Sequence, residues 1–167
     1  SVADRDALWE GLADGSLSVV STDHVPDSAA DEKQTWRESF DKISNGSPGI
    51  ETLLSVVYSE GVAKGRITVE RMVDLLATTP ARLFGLEGKG AIEVGRDADL
   101  VLFDPGERRT LLASELHHTS DYTPYEGMAV SGAVVSTLVR GEYVVRDGHF
   151  VGRRGQGQFQ ERRLTWR

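Results

Sequence analysis

The chain has 167 residues, 39% hydrophobic and 27% charged, which is the composition of a packed globular protein and not of a disordered one. Its 19 basic and 26 acidic residues leave a formal charge of −7, which argues against nonspecific binding to nucleic acid or to anionic membranes. The absence of cysteine excludes disulfides and thiolate metal sites and suits a cytoplasmic protein. No apolar run approaches the roughly 18 residues of a membrane span. The opening Ser1-Val2-Ala3-Asp4-Arg5-Asp6 has no initiator Met and no signal-peptide order, and reads as the interior of a longer protein.

Residues 4–13 predict a helix, with Asp4 as cap, Leu8 and Leu12 on one face, and Gly15 as stop. The apolar run at 17–22 has strand length, and a helix feeding a buried strand is an α/β signature. Residues 24–48 are polar, with Pro26, Asn45-Gly46 and Pro48, and read as a functional loop with a short helix around Trp36–Ile43. Ile50, Leu53, Leu54 and Val57 mark a helix over 49–62. Thr68 caps another over 69–77, and Thr79-Pro80 restarts a third that Gly85 or Gly88 closes.

Beyond Gly88 the pattern turns to β. Residues 91–95, Leu100–Phe103, Val130–Val139 and Tyr143–Val145 predict strands, with turns at Gly95-Arg96-Asp97, at Arg140-Gly141-Glu142 and at the hairpin dipeptide Asp147-Gly148. The tail from Gly152 has no core pattern and is expected to follow a surface or reach a neighbour. The chain therefore divides into an α/β part, a β-rich part and a tail.

Asp23 carries the chemistry. It stands in Ser21-Thr22-Asp23-His24, directly after the 17–22 run. A carboxylate at the end of a buried strand serves as a metal ligand or a proton carrier, although by spacing alone a turn aspartate is the plainer reading. It has no neighbouring set of the three or four ligands that a catalytic metal needs. His24 beside it reads as a structural hydrogen-bonding group. Asn45 lies in a Gly-flanked loop, where backbone can approach a ligand closely, or else forms a plain Asn-Gly turn. His117 and His118 are adjacent, so on a strand they would face opposite ways, and loop or surface roles suit them better. His149 reads as a structural hairpin residue. Asp97 and Asp99 offer too few spaced oxygens for calcium and read as part of a turn. Residues 121–127, with Tyr122 and Tyr125, brace a loop or line a subunit contact. The arginines at 153, 154, 162, 163 and 167 form a basic cluster on an acidic chain.

Six segments together resemble the C-terminal part of the cyclic amidohydrolases, most closely the dihydropyrimidinase/D-hydantoinase group. They are Ser21–His24, Ile43–Glu51 (ISNGSPGIE), Thr79–Leu86 (TPARLFGL), Lys89–Val101 (KGAIEVGRDADLV), Asp121–Gly127 (DYTPYEG), and Val139-Arg140-Gly141 through Asp147-Gly148 to Gly155–Phe159. The third and fourth are shared across the superfamily; the second, the fifth and the tail point to the hydantoinase group. Ser44, Ser47 and Val25 depart from the pattern in fine loop positions.

The resemblance implies an α/β fold: the last strand and closing helices of a (β/α)8 TIM-like barrel in residues 1–88, part of a small β-sandwich in 89–151, and an extended tail in 152–167. A whole barrel takes about 250 residues, so a fragment is expected. It further implies hydrolysis of hydantoin or 5,6-dihydropyrimidine rings to N-carbamoyl amino acids. Two divalent metals, zinc in the usual case, would be bridged by a carboxylated lysine, and that lysine and the histidine ligands match no motif in this chain. Asp23 becomes a metal ligand and proton shuttle, and Asn45 the contact to the substrate's ring amide. The implied partners are a small cyclic amide and further copies in a tetramer joined through the β-rich segment and tail. An allantoinase or dihydroorotase-like hydrolase, a nonenzymatic scaffold like the collapsin-response mediators, and a noncatalytic β-rich assembly module are the alternatives. The 167-residue chain alone is expected neither to bind two zinc ions nor to open hydantoin. Zinc analysis and a ring-opening assay check this, and stoichiometric metal with turnover would refute it.

Overall fold

The computed structural model describes residues 1–163. Helix α1 (Val2–Asp14) begins one residue after Ser1, whose hydroxyl accepts the Asp4 N–H while the Asp4 carboxylate takes the Ser1 amine. That reciprocal pair makes Ser1 the cap and Asp4 its partner, so the expected Asp4 cap is corrected by one turn. Gly15 ends the helix at φ 94. Trp9 and Leu12 face inward, whereas Leu8 is exposed.

Residues 17–22 form extended chain, not the expected strand. Val20 donates to Leu75 O at 3.4 Å, and no described segment runs beside it as a ladder. Strand character requires a partner's N–H and C=O, which sequence pattern alone cannot supply. Two 3-10 helices, Glu32–Arg37 and Phe40–Lys42, occupy the region where one short helix was expected.

Helix α2 (Leu53–Val57) widens into a π turn over Tyr58–Val62. Helix α3 (Val69–Val73) starts at Thr68, whose hydroxyl accepts the Arg71 N–H, and widens over Asp74–Thr78 before running into α4 (Thr79–Leu83). Thr79 is therefore not a cap. It is buried in helical conformation, and its hydroxyl donates to Asp74 Oδ1 at 2.7 Å. The widened turn lies directly before Pro80, where a missing N–H breaks the regular α ladder. Val57, Ile67, Met72 and Leu75 form the buried core, with Trp9, Leu12, Val20 and Leu53 packed on it. Arg71 ties α3 to the end of α1 through Leu12 O (2.7 Å) and Leu17 O (2.9 Å).

The expected strand at 91–95 is a turn, with Ile92 and Val94 exposed. Arg96 folds it by donating to Glu87 O and Lys89 O, while Asp97 and Asp99 converge on Lys89 Nζ at 2.7 and 2.5 Å. The acids that suggested a turn thus hold a lysine.

Strands β1 (Leu100–Thr110), β2 (Ala129–Val139), β3 (Glu142–Arg146) and β4 (His149–Phe150) make one antiparallel sheet in sequential order. β1 outlasts the expected Phe103 end because a bulge at Asp104–Arg108 absorbs Pro105-Gly106 and pairing resumes at Arg108–Ser131. Both tight turns have positive φ at two centres, Arg140-Gly141 and Asp147-Gly148, as their sequences indicate. The tail returns to α4, where the Arg163 N–H reaches Gly85 O at 3.0 Å.

The sheet docks on α2 through Gly132. At φ +84 it lies where an added Cβ would meet Phe103 Cζ at 2.3 Å and Tyr58 Cδ1 at 2.6 Å. Those two rings pack with centroids 4.8 Å apart, and the Ser131 N–H donates to Ser59 Oγ at 3.1 Å. Gly132→Ala is expected to cost about 3 kcal/mol from overpacking plus a left-handed alanine, measured by urea unfolding. A change below about 1 kcal/mol, within the range of an ordinary surface substitution, would show that this contact does not hold the sheet.

Candidate functional site

The site is built where the chain leaves the 17–22 segment. Asp23 sits at φ 46, in the left-handed region that aspartate visits more readily than most residues. Ser47 is its backbone partner there. Its N–H donates to Asp23 O at 3.3 Å, and its carbonyl accepts the Val25 N–H at 3.2 Å, a two-bond parallel bridge centred on His24. Gly46 makes the approach possible. It has φ +81, and a Cβ there would lie 2.4 Å from Asp23 O and 2.6 Å from Val25 Cγ2. Asp23 and the Asn45 loop are thus joined by backbone, and both side chains are exposed.

His24 does not contribute a free ligand atom at Nδ1. That nitrogen accepts the N–H groups of Gly49 (3.0 Å) and Ile50 (3.3 Å) at the turn leading into α2. The structural reading of His24 holds, and its anchoring fixes the residue after Asp23. His118 lies with its ring centroid 6.5 Å from that of His24, and its ring nitrogens are buried. His117 points elsewhere: its N–H and Nδ1 meet the two oxygens of Glu51 at 2.7 and 2.8 Å. His149 is exposed on β4. Among the described residues, no three of His, Asp and Glu converge to hold a metal ion. Asp23 brings one exposed carboxylate to this place.

The segment after β1 braces the site from outside. Asp121 accepts the Ala29 N–H (2.6 Å), the Ala30 N–H (3.2 Å) and the Ser28 hydroxyl (3.1 Å). Ser44 donates its hydroxyl to the Asp27 carboxylate, and Ser120 donates to Asp27 O at 2.8 Å. Lys33 reaches the Asn45 loop from the first 3-10 helix. Sequence reading missed Lys33, Ser47 and Glu51 as site supports, whereas it had residues 121–127 bracing a loop, as Asp121 does. Only the Asn-Gly turn hinted that backbone would come close there. A cavity of about 240 Å³ lined by Trp9, Val20, Thr22, Ser47, Pro48 and Tyr125 lies beside the bridge and does not include Asp23 or Asn45.

The amidohydrolase family model matches residues 1–144. The chain belongs to the amidohydrolase family. It is 47% identical over 159 residues to the D-hydantoinase of Geobacillus stearothermophilus, covering 95% of this chain and 34% of that protein. It is 43% identical over 164 residues to the D-phenylhydantoinase of Escherichia coli K12, covering 98% and 36%. Among solved structures, the dihydropyrimidinase from Brevibacillus agri NCHU1002 superposes with a TM-score of 0.92 at 45% identity, over 97% of this chain and 35% of that one. The D-hydantoinase from Bacillus sp. AR9 gives 0.90 at 48%, over 94% and 34%. This family member therefore spans about a third of the length of these relatives. The mixed α/β fold is theirs, and no helix among the described residues is long and apolar enough to cross a membrane.

The Ala29 N–H, helped by the Ser28 hydroxyl and the Ala30 N–H, holds the Asp121 carboxyl below its ordinary range against the opposing effect of desolvation. A carboxyl lowered on folding stabilises above its unfolded pKa, and that stabilisation is lost as pH falls through the folded value. The 28–30 latch is therefore expected to survive the ordinary aspartate range, near pH 3.9, and to release only below it. NMR shifts of the Ala29 and Ala30 amides against pH check this, with the Asp121→Asn protein as the curve lacking the transition.

Proposed function

We propose that this chain works as part of a longer hydrolase of cyclic amides, opening hydantoin or 5,6-dihydropyrimidine rings to N-carbamoyl amino acids. In that reading residues 1–88 close a TIM-like barrel, 89–151 form part of a β-sandwich, and 152–167 are a tail used in assembly as a homo-oligomer. The observation that carries it is the left-handed Asp23, locked to Ser47 and set beside the Asn45 loop. Arg140 and Asp147 take the same backbone conformation in tight hairpin turns, whereas Asp23 is held by Ser47 next to the Asn45 loop. The names of the relatives point to ring substrates and favour hydantoins or dihydropyrimidines over allantoin or dihydroorotate.

Asp23 accepts a proton at its carboxylate from the attacking water and returns it to the leaving ring nitrogen, the role of a positioned general base and acid. The backbone of Asn45 reads the ring's alternating N–H and C=O edge, and Gly46 lets it come close. Two divalent metals, expected from the family resemblance, would lower the pKa of bound water to about 7. Among the described residues no three of His, Asp and Glu converge to hold them, and Asp23 is the residue we assign as a ligand.

In the longer protein, Asp23→Asn is expected to lower kcat for hydantoin opening by about 10² to 10⁴-fold, with binding little changed. Ring opening followed by ultraviolet absorbance checks it. Unaltered kcat would remove Asp23 from the reaction, and a wild-type protein inert towards hydantoin and dihydrouracil would remove the assignment itself.

A further inference from the structure

Lys33 is half-buried, and among the described residues no carboxylate lies within ion-pair distance of it. Its ammonium instead enters a cup of main-chain carbonyls. Nζ donates to Ser44 O at 2.7 Å and to Gly46 O at 2.9 Å, with Asn45 O at 3.4 Å and Ser44 Oγ at 3.5 Å. An ammonium has three donors and no acceptor, so three successive carbonyls complement it. Charge-assisted bonds of this length are the strong ones.

The distances are unequal in a useful way. The two short bonds go to the carbonyls that flank Asn45, while the Asn45 carbonyl stays at the edge of hydrogen-bonding range. The loop is gripped on both sides and its central acceptor is left able to take a donor from elsewhere. Lys33 itself is fixed. Its 3-10 helix follows the 28–30 turn, which Asp121 clamps, and the Ser28 N–H donates to Glu32 Oε2 at 2.9 Å. On the far side of the cup, Ser47 carries the bridge to Asp23.

We propose that Lys33 is the positioning residue of the substrate loop: its ammonium pins the carbonyls of Ser44 and Gly46 so that the Asn45 carbonyl is presented to a ring N–H of the substrate. This rests on the cyclic-amide reading above. Lys33 does not touch the reacting atoms and acts through Asn45, so its loss weakens substrate binding more than it slows the chemistry.

The test uses the longer protein with hydantoin as substrate. Lys33→Ala is expected to raise KM about tenfold, the loss of a hydrogen bond to a charged group, with kcat changed by less than about threefold. Ethylammonium restores at least half of the lost kcat/KM by refilling the cup, whereas tetramethylammonium, equal in charge but without N–H donors, does not. An unchanged KM, a loss confined to kcat, or equal rescue by both ions would overturn the proposal. Should the wild-type protein open no ring, the functional reading fails by itself. Hydrogen exchange then still decides whether Lys33 pins the loop: the Ser47 and Val25 amides exchange faster in Lys33→Ala than in wild type while α3 is unaffected, and unchanged protection refutes it.

Discussion

The pairing of Asp23 with Ser47 is the constraint on which the candidate site depends. Two backbone hydrogen bonds of 3.2 and 3.3 Å join a turn after an extended segment to a loop more than twenty residues later. Neither bond is strong, and their net contribution is on the order of 1 kcal/mol each. Their effect is geometric. They hold Asp23 in the left-handed region, and they require glycine at 46, because any side chain there would enter the Asp23 carbonyl. One close approach therefore fixes the Asp23 backbone and its distance from the Asn45 loop.

That approach is maintained by groups far away in sequence. His24 accepts two N–H groups at the entrance to α2, so the residue after Asp23 is bound to a helix that packs into the core. Asp121 gathers the 28–30 turn, and Glu51 holds His117. Both contacts come from the segment between β1 and β2. The sheet is in turn seated on α2 by Gly132 beneath Tyr58 and Phe103. The β-rich part thus bears on the candidate site indirectly: it provides the frame from which the loop around it is braced.

The legible parts of the fold were those whose causes are local. The Thr68 cap, the left-handed stop at Gly15 and the Asp147-Gly148 hairpin depend on a few neighbouring residues, and the structure has them. The misread parts depend on partners. Residues 17–22 and 91–95 have strand composition, but a ladder needs a second strand, and none of the described residues forms one beside them. Thr79-Pro80 resembles a helix start, yet the widened turn before it lets one helix continue through. Asp97 and Asp99 were recognisable as turn acids, while their convergence on Lys89 was not.

The sequence by itself determined the family, through six short segments in order, and it marked Asp23 and Asn45 as the residues to examine. It also determined where glycine and proline punctuate the chain, because those effects act within one turn. Only the tertiary structure decided that Asp23 is left-handed, that Ser47 holds it there, and that a lysine with no carboxylate partner among the described residues occupies a cup of three carbonyls. The reason is physical. Lys33, Ser47 and Asp121 act through main-chain donors and acceptors, which every residue has alike, so no residue type announces which of them will be used.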